Sequence, residues 1–174
     1  MPEEPAENIS GGAAGGGREA SFEPETAGTQ AEAVVDELGE IYWQTAYGGQ
    51  DAVECLVRTI LSQNTSDKAS QPAHDALMDR YGGSEADLVA SLADAEQSTL
   101  AETISGAGLY NQKSEVIIDA ATEIRAEFGT TADFDAFVKD ESPATVRKRL
   151  LDIHGVGPKT ADCVLLFAGG RGGV

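Results

Sequence analysis

The chain has 174 residues, 41% of them hydrophobic and 6% aromatic, with 12 basic and 30 acidic side chains and a net charge of -18. That length buries one core of ordinary size, and no apolar run approaches the ~20 residues that cross a bilayer. The acidic start MPEEPAEN lacks the basic and apolar stretches of a secretory leader, so the expectation is a soluble, cytoplasmic protein with no membrane attachment.

In chain order, residues 1–29 are rich in Gly, Glu, Pro and Ala without periodicity and are expected to be a disordered tail. Residues 30–174 form the helical region. Val34, Leu38, Ile41 and Tyr42 recur at helical spacing, with Trp43 beside them. Val53, Leu56, Val57, Ile60 and Leu61 complete an i, i+3, i+4, i+7, i+8 template, which predicts the most buried helix of the fold. Helices are further predicted at about 67–81, 85–92 and 94–104. Asp94 would be the N-cap of the last, with Gln97 at the capping-box position. Asp67 is expected to N-cap the helix it begins. Residues 112–128 put Ile117, Ala121, Ile124 and Phe128 on one face and stop at Gly129, a natural C-cap. Ser142 and Pro143 then read as N-cap and first residue of another helix, and a last helix starts near Pro158. No segment alternates like a strand, so the fold class is all-α.

Cys55 and Cys163 lie inside apolar helical patterns and are expected to be reduced thiols. Two cysteines so far apart make no metal site within this chain. Charge is unevenly spread. Residues 1–138 sum to -20, whereas residues 139–174 sum to +2. Carboxylates this dense lead to the expectation of a halophilic protein adapted to molar salt, where the Debye length falls to about 3 Å and distant acidic surface repels phosphate weakly.

Residues 143–168 read as helix, Gly-Val-Gly turn, helix. Gly155 and Gly157 allow positive φ or close backbone approach, and such a turn aims backbone N–H groups and a helix N-terminus at one outside spot suited to a phosphate oxygen. On the turn alone, a phosphate cradle and an ordinary tightly packed αα-turn remain open. The stretch LLDIHGVGPKTADCVLL resembles the helix-hairpin-helix of the endonuclease III branch of DNA glycosylases. ILSQNTSDKA and ISGAGLYNQKSEVI resemble two further family segments in the family's order, and the likeness covers roughly residues 31–170.

The resemblance implies a monomeric, nucleoid-associated base-excision enzyme acting on double-stranded DNA with damaged bases or abasic sites. It implies release of an oxidised pyrimidine, followed by AP-lyase cleavage. It carries the catalytic amine over to Lys159, which must become neutral to attack the sugar, through burial or a nearby cation. Gln63 and Asn64 carry over as the amides that fill the vacated helix space, and His154, Gly155, Val156, Gly157 and Thr160 as DNA contacts. Arg147, Lys148 and Arg149 are expected to be solvated charges or phosphate contacts, and Lys113 a surface lysine. The family's Leu-Pro before the hairpin is Ile153-His154 here. The family's catalytic aspartate would fall just past Val174, and the cysteines of its [4Fe-4S] cluster further on. The resemblance therefore implies a chain truncated at its C-terminus, with an incomplete second domain. The alternatives are a non-enzymatic helix-hairpin-helix DNA-binding module and an inactive glycosylase fragment.

Overall fold

The computed structural model describes residues 18–19, 28–42, 46–47, 49–83 and 87–170. Helix α1 spans Gln30–Tyr42, α2 Ala52–Ser62, α3 Asp67–Tyr81, α4 Leu88–Ala93 and α5 Gln97–Thr103. A 3-10 turn over Ser105–Ala107 leads into α6 (Tyr110–Phe128), followed by α7 (Thr131–Asp140), α8 (Pro143–Asp152) and α9 (Pro158–Phe167). The all-helical expectation holds, with one small addition. Arg18–Glu19 (β1) and Ala46–Tyr47 (β2) pair antiparallel, Arg18 opposite Tyr47. Residues 1–17 and 20–27 of the expected tail, and Trp43, lie outside the described residues.

Helix α2 is the axle of the molecule, packed by α3, α6, α7 and α9. Its template side chains Val53, Leu56, Val57, Ile60 and Leu61 are all buried, each contributing about 1.5–3 kcal/mol of transfer free energy. Asp51 caps the helix, accepting from Val53 N and Glu54 N at 2.9 Å each. Asp135 on α7 accepts from Ala52 N, also at 2.9 Å. Two carboxylates thus satisfy the open N–H groups of this helix and complement its dipole. Val34 and Leu38 of α1, by contrast, stand about half exposed.

Three local expectations need correction. Helix α5 begins at Gln97 with Glu96 as its N-cap, accepting from Ser98 N and Thr99 N, whereas Asp94 closes α4. The longer Glu96 side chain reaches the free N–H groups from a position that leaves Asp94 to end the preceding turn. Ser66, not Asp67, holds the N-cap backbone position of α3. Helix α7 had no counterpart in the sequence reading. It is capped by Thr130 and buries Phe134 and Val138, and Phe128, Phe134 and Phe137 form an aromatic cluster with centroids 4.8–6.4 Å apart. Gly129 does end α6, at φ +89, and Ser142 and Pro143 start α8 as expected.

Candidate active site and nucleic-acid interface

The α8–α9 hairpin is held from inside by apolar residues and left open on its outer face. Ile153 and Val156 are 2% and 7% exposed and anchor the turn in the core. Gly155 has φ +80, and a Cβ there would stand 2.5 Å from Cγ1 of Val116 on α6. A side chain is excluded twice, by conformation and by contact. Gly157 differs. Its φ is -92, and a Cβ would meet nothing within 4 Å. The space outside Gly157 is therefore empty, and no side chain caps the N-terminus of α9. The first N–H groups of a helix have no intrahelical partner. Arg147 on α8 grips Asp162 on α9 with Nε–Oδ1 at 2.7 Å, holding the two helices at one crossing.

Lys159 is exposed in the first turn of α9 and lines a cleft of about 260 Å³. That volume sits just under the ~300 Å³ where small-ligand pockets begin, a size for one planar ring rather than a large ligand. Arg58, Asp67, Cys163 and Phe167 share its walls. Lys159 is exposed rather than buried, and Arg58 is a second basic residue in the lining of the cleft. Gln50 also faces the cleft. Its loop is stitched to the end of α9 by Gly49 N–H to Ala168 O and Gln50 N–H to Phe167 O, at 3.1 and 3.3 Å. Gln50 Nε2 is buried without a hydrogen-bond partner among the described residues. An orphaned donor of this kind is costly unless a ligand acceptor meets it.

The turn after α2 separates the two expected amides. Gln63 turns inward, its Nε2 donating to Thr160 Oγ1 at 3.0 Å. Asn64 is exposed, at φ +52. Thr160 and Val156 are themselves buried, so neither side chain is presented on the outer face. His154 is exposed, with Nδ1 3.7 Å from Asp119 Oδ2. The turn carrying Asn64 is tied to a second turn, Thr65 Oγ1 donating to Ala107 O, and that second turn holds Leu109, a residue the sequence reading passed over. Leu109 is 57% exposed and left-handed at φ +48, followed by the exposed Tyr110. An apolar side chain held outward in a strained turn is suited to insertion between bases. The signal was present in Gly-Leu-Tyr, where a leucine precedes a helix and matches no face of it.

The assignment of Lys113 to the surface is overturned. It is 4% exposed, because α6 begins at Tyr110 and turns this position onto the end of α2. Burial holds its pKa below the usual lysine value. Arg149 is engaged by Glu123 and Glu127, and Lys148 remains exposed. Cys55 is buried and its thiol is pushed up to about 12 by desolvation. Cys163 is partly exposed, and both thiols are free. Among the described residues no three His, Cys, Asp or Glu side chains gather as a metal site. These residues do not fit an iron–sulfur cluster, and no helix among them is long and apolar enough to cross a membrane.

Residues 57–163 match the family described as HhH-GPD superfamily base excision DNA repair protein. A Methanocaldococcus jannaschii protein provisionally named a DNA repair glycosylase is 31% identical over 137 residues, covering 78% of this chain and 57% of its own length. Endonuclease III of Sulfolobus acidocaldarius is 33% identical over 111 residues, covering 64% of this chain and 45% of its own. Among solved structures, H. pylori 3-methyladenine DNA glycosylase bound to 1,N6-ethenoadenine superposes with a TM-score of 0.58 at 27% identity. That match covers 75% of this chain and 56% of the other. The chain thus spans about half the length of the relatives it matches.

Proposed function

Because this chain belongs to the HhH-GPD superfamily of base excision DNA repair proteins, we propose that it is the DNA-engaging part of a glycosylase with AP-lyase activity. The observation that carries the reading is the position of Lys159, in the wall of a small cleft and in the first turn of the helix whose uncapped start forms the backbone cradle. The outer face of Gly157 and the start of α9 receive a phosphate and set register without reading sequence. Asn64 and Leu109 enter the stack as the damaged nucleotide leaves it, at a few kcal/mol of unstacking. The Lys159 amine attacks C1′, and the N-glycosidic bond breaks with its electron pair leaving on the base. Opening of the sugar ring leaves an imine between C1′ and Nζ. Loss of a C2′ proton then breaks the C3′–O bond and expels the 3′ phosphate.

The cleft supports an oxidised pyrimidine as the released base. The unpartnered Gln50 donor suits the carbonyl of an oxidised pyrimidine. The test is a set of duplexes carrying thymine glycol, 3-methyladenine or an abasic site. Faster release of thymine glycol than of 3-methyladenine, with cleavage at the abasic site, is expected. Binding to all three with no product would instead identify a non-enzymatic hairpin module.

Two substitutions refine this. Gln50→Met is expected to slow thymine glycol release about three- to tenfold, the worth of one hydrogen bond, while cleavage of abasic DNA is unchanged. An equal loss on both substrates would remove Gln50 from base recognition. Gly157→Leu meets open space, so its melting temperature is expected to stay within about 2 °C of the parent. Its duplex affinity by fluorescence anisotropy is expected to fall about tenfold, or about 1.4 kcal/mol, because the side chain occupies the phosphate position. Unaltered affinity would place the DNA elsewhere.

A further inference from the structure

We infer that Lys113 is a positioning residue for base extrusion, its buried ammonium locking together the two exposed turns that carry Asn64 and Leu109. The inference rests on the base-excision reading of the cleft. All three N–H donors of the ammonium are used, toward Leu61 O at 2.6 Å, Ala107 O at 2.8 Å and Thr65 Oγ1 at 2.9 Å. Thr65 Oγ1 also donates to Ala107 O, closing the knot. Among the described residues no carboxylate pairs with it.

Two features set this lysine apart from a residue that merely fills space. First, a buried cation at the N-terminal turn of its own helix is opposed by desolvation and by the α6 dipole. A methionine would occupy the same volume without either penalty. Second, the knot touches the neighbours of two strained residues. Asn64 and Leu109 are the two non-glycine residues at positive φ among the described residues. Thr65 directly follows Asn64, and Ala107 precedes Leu109 by two positions, with Gly108 at φ +63 between them. Such backbone conformations persist only where surrounding contacts over-determine them. Lys113 reaches both turns at once, along with the carbonyl end of α2, whose negative dipole end stabilises the charge. With both turns fixed in advance, the side chains that replace the extruded base need no ordering on binding.

Lys159 stands on a different helix and is not part of this knot, so the two steps separate. Abasic DNA has no base to extrude. Lys113→Met is expected to reduce base release from a paired thymine glycol by ten- to a hundredfold, while borohydride trapping on abasic duplex stays within about threefold of the parent. The defect is expected to shrink when the lesion lies opposite an abasic position, where extrusion is easier. Thr65→Val, which removes one corner of the knot, is expected to give the same pattern at smaller amplitude and serves if Lys113→Met fails to fold. Equal loss on both substrates, no loss on either, or a defect indifferent to the opposing position would overturn the inference alone. Silence of the unsubstituted chain on both substrates would overturn the base-excision reading first.

Discussion

Gly155→Ala is expected to destabilise the protein by roughly 2–4 kcal/mol, combining a left-handed conformation forced on alanine with overpacking against a neighbour. The neighbour is Val116, whose Cγ1 and Cγ2 would lie 2.5 and 2.9 Å from the new Cβ. For a chain of this size that is a drop of about 5–15 °C in melting temperature, measurable by circular dichroism. The steric part belongs to the pair, so Val116→Ala is expected to recover some of the loss. A double-mutant cycle then yields a favourable coupling of about 0.5–3 kcal/mol. An unchanged melting curve for Gly155→Ala would show that the hairpin does not seat on α6 as described. The substitution also bears on activity, since the turn sets where α9 begins and hence where Lys159 stands.

The second large effect is chemical. Lys159→Ala is expected to lower cleavage at abasic sites at least a thousandfold, about 4 kcal/mol of barrier, because the covalent path through an imine is lost. Duplex affinity is expected to change less than threefold, since the proposed phosphate contact is with backbone N–H groups rather than with this side chain. Lys159→Arg is expected to be equally inactive, as a guanidinium stays protonated and forms no imine. Retention of abasic cleavage by either variant would remove Lys159 from the reaction.

Elements whose determinants lie within one turn of chain were legible from the sequence. The five apolar positions of α2, the Gly129 cap and the Ser142-Pro143 start depend on near neighbours, and each sits where expected. The hairpin was legible for the same reason, although its two glycines divide the work. Gly155 fits against α6, while Gly157 leaves space outside. What could not be read depends on distant partners. Lys113 is buried by oxygens 52, 48 and 6 residues away, so a lysine beside a glycine-rich turn looks like surface. The division between Gln63 and Asn64 follows from one positive φ and from Thr160, 97 residues on. The Gln50 donor was likewise hidden, because only the packing of its loop on α9 brings it into the cleft. Helix α7 is the exception. Phe134, Phe137 and Val138 follow helical spacing behind the Thr130 cap, and that signal was local but short.

Lys159 is proposed to form a covalent bond with the sugar at a damaged site. Borohydride reduction during incubation with abasic duplex, followed by digestion and mass spectrometric mapping, tests it directly. The imine C=N would be reduced to a secondary amine, leaving the adduct on the peptide that contains Lys159. An adduct on Lys68, Lys148 or another amine, or no adduct while the duplex remains bound, would contradict the assignment.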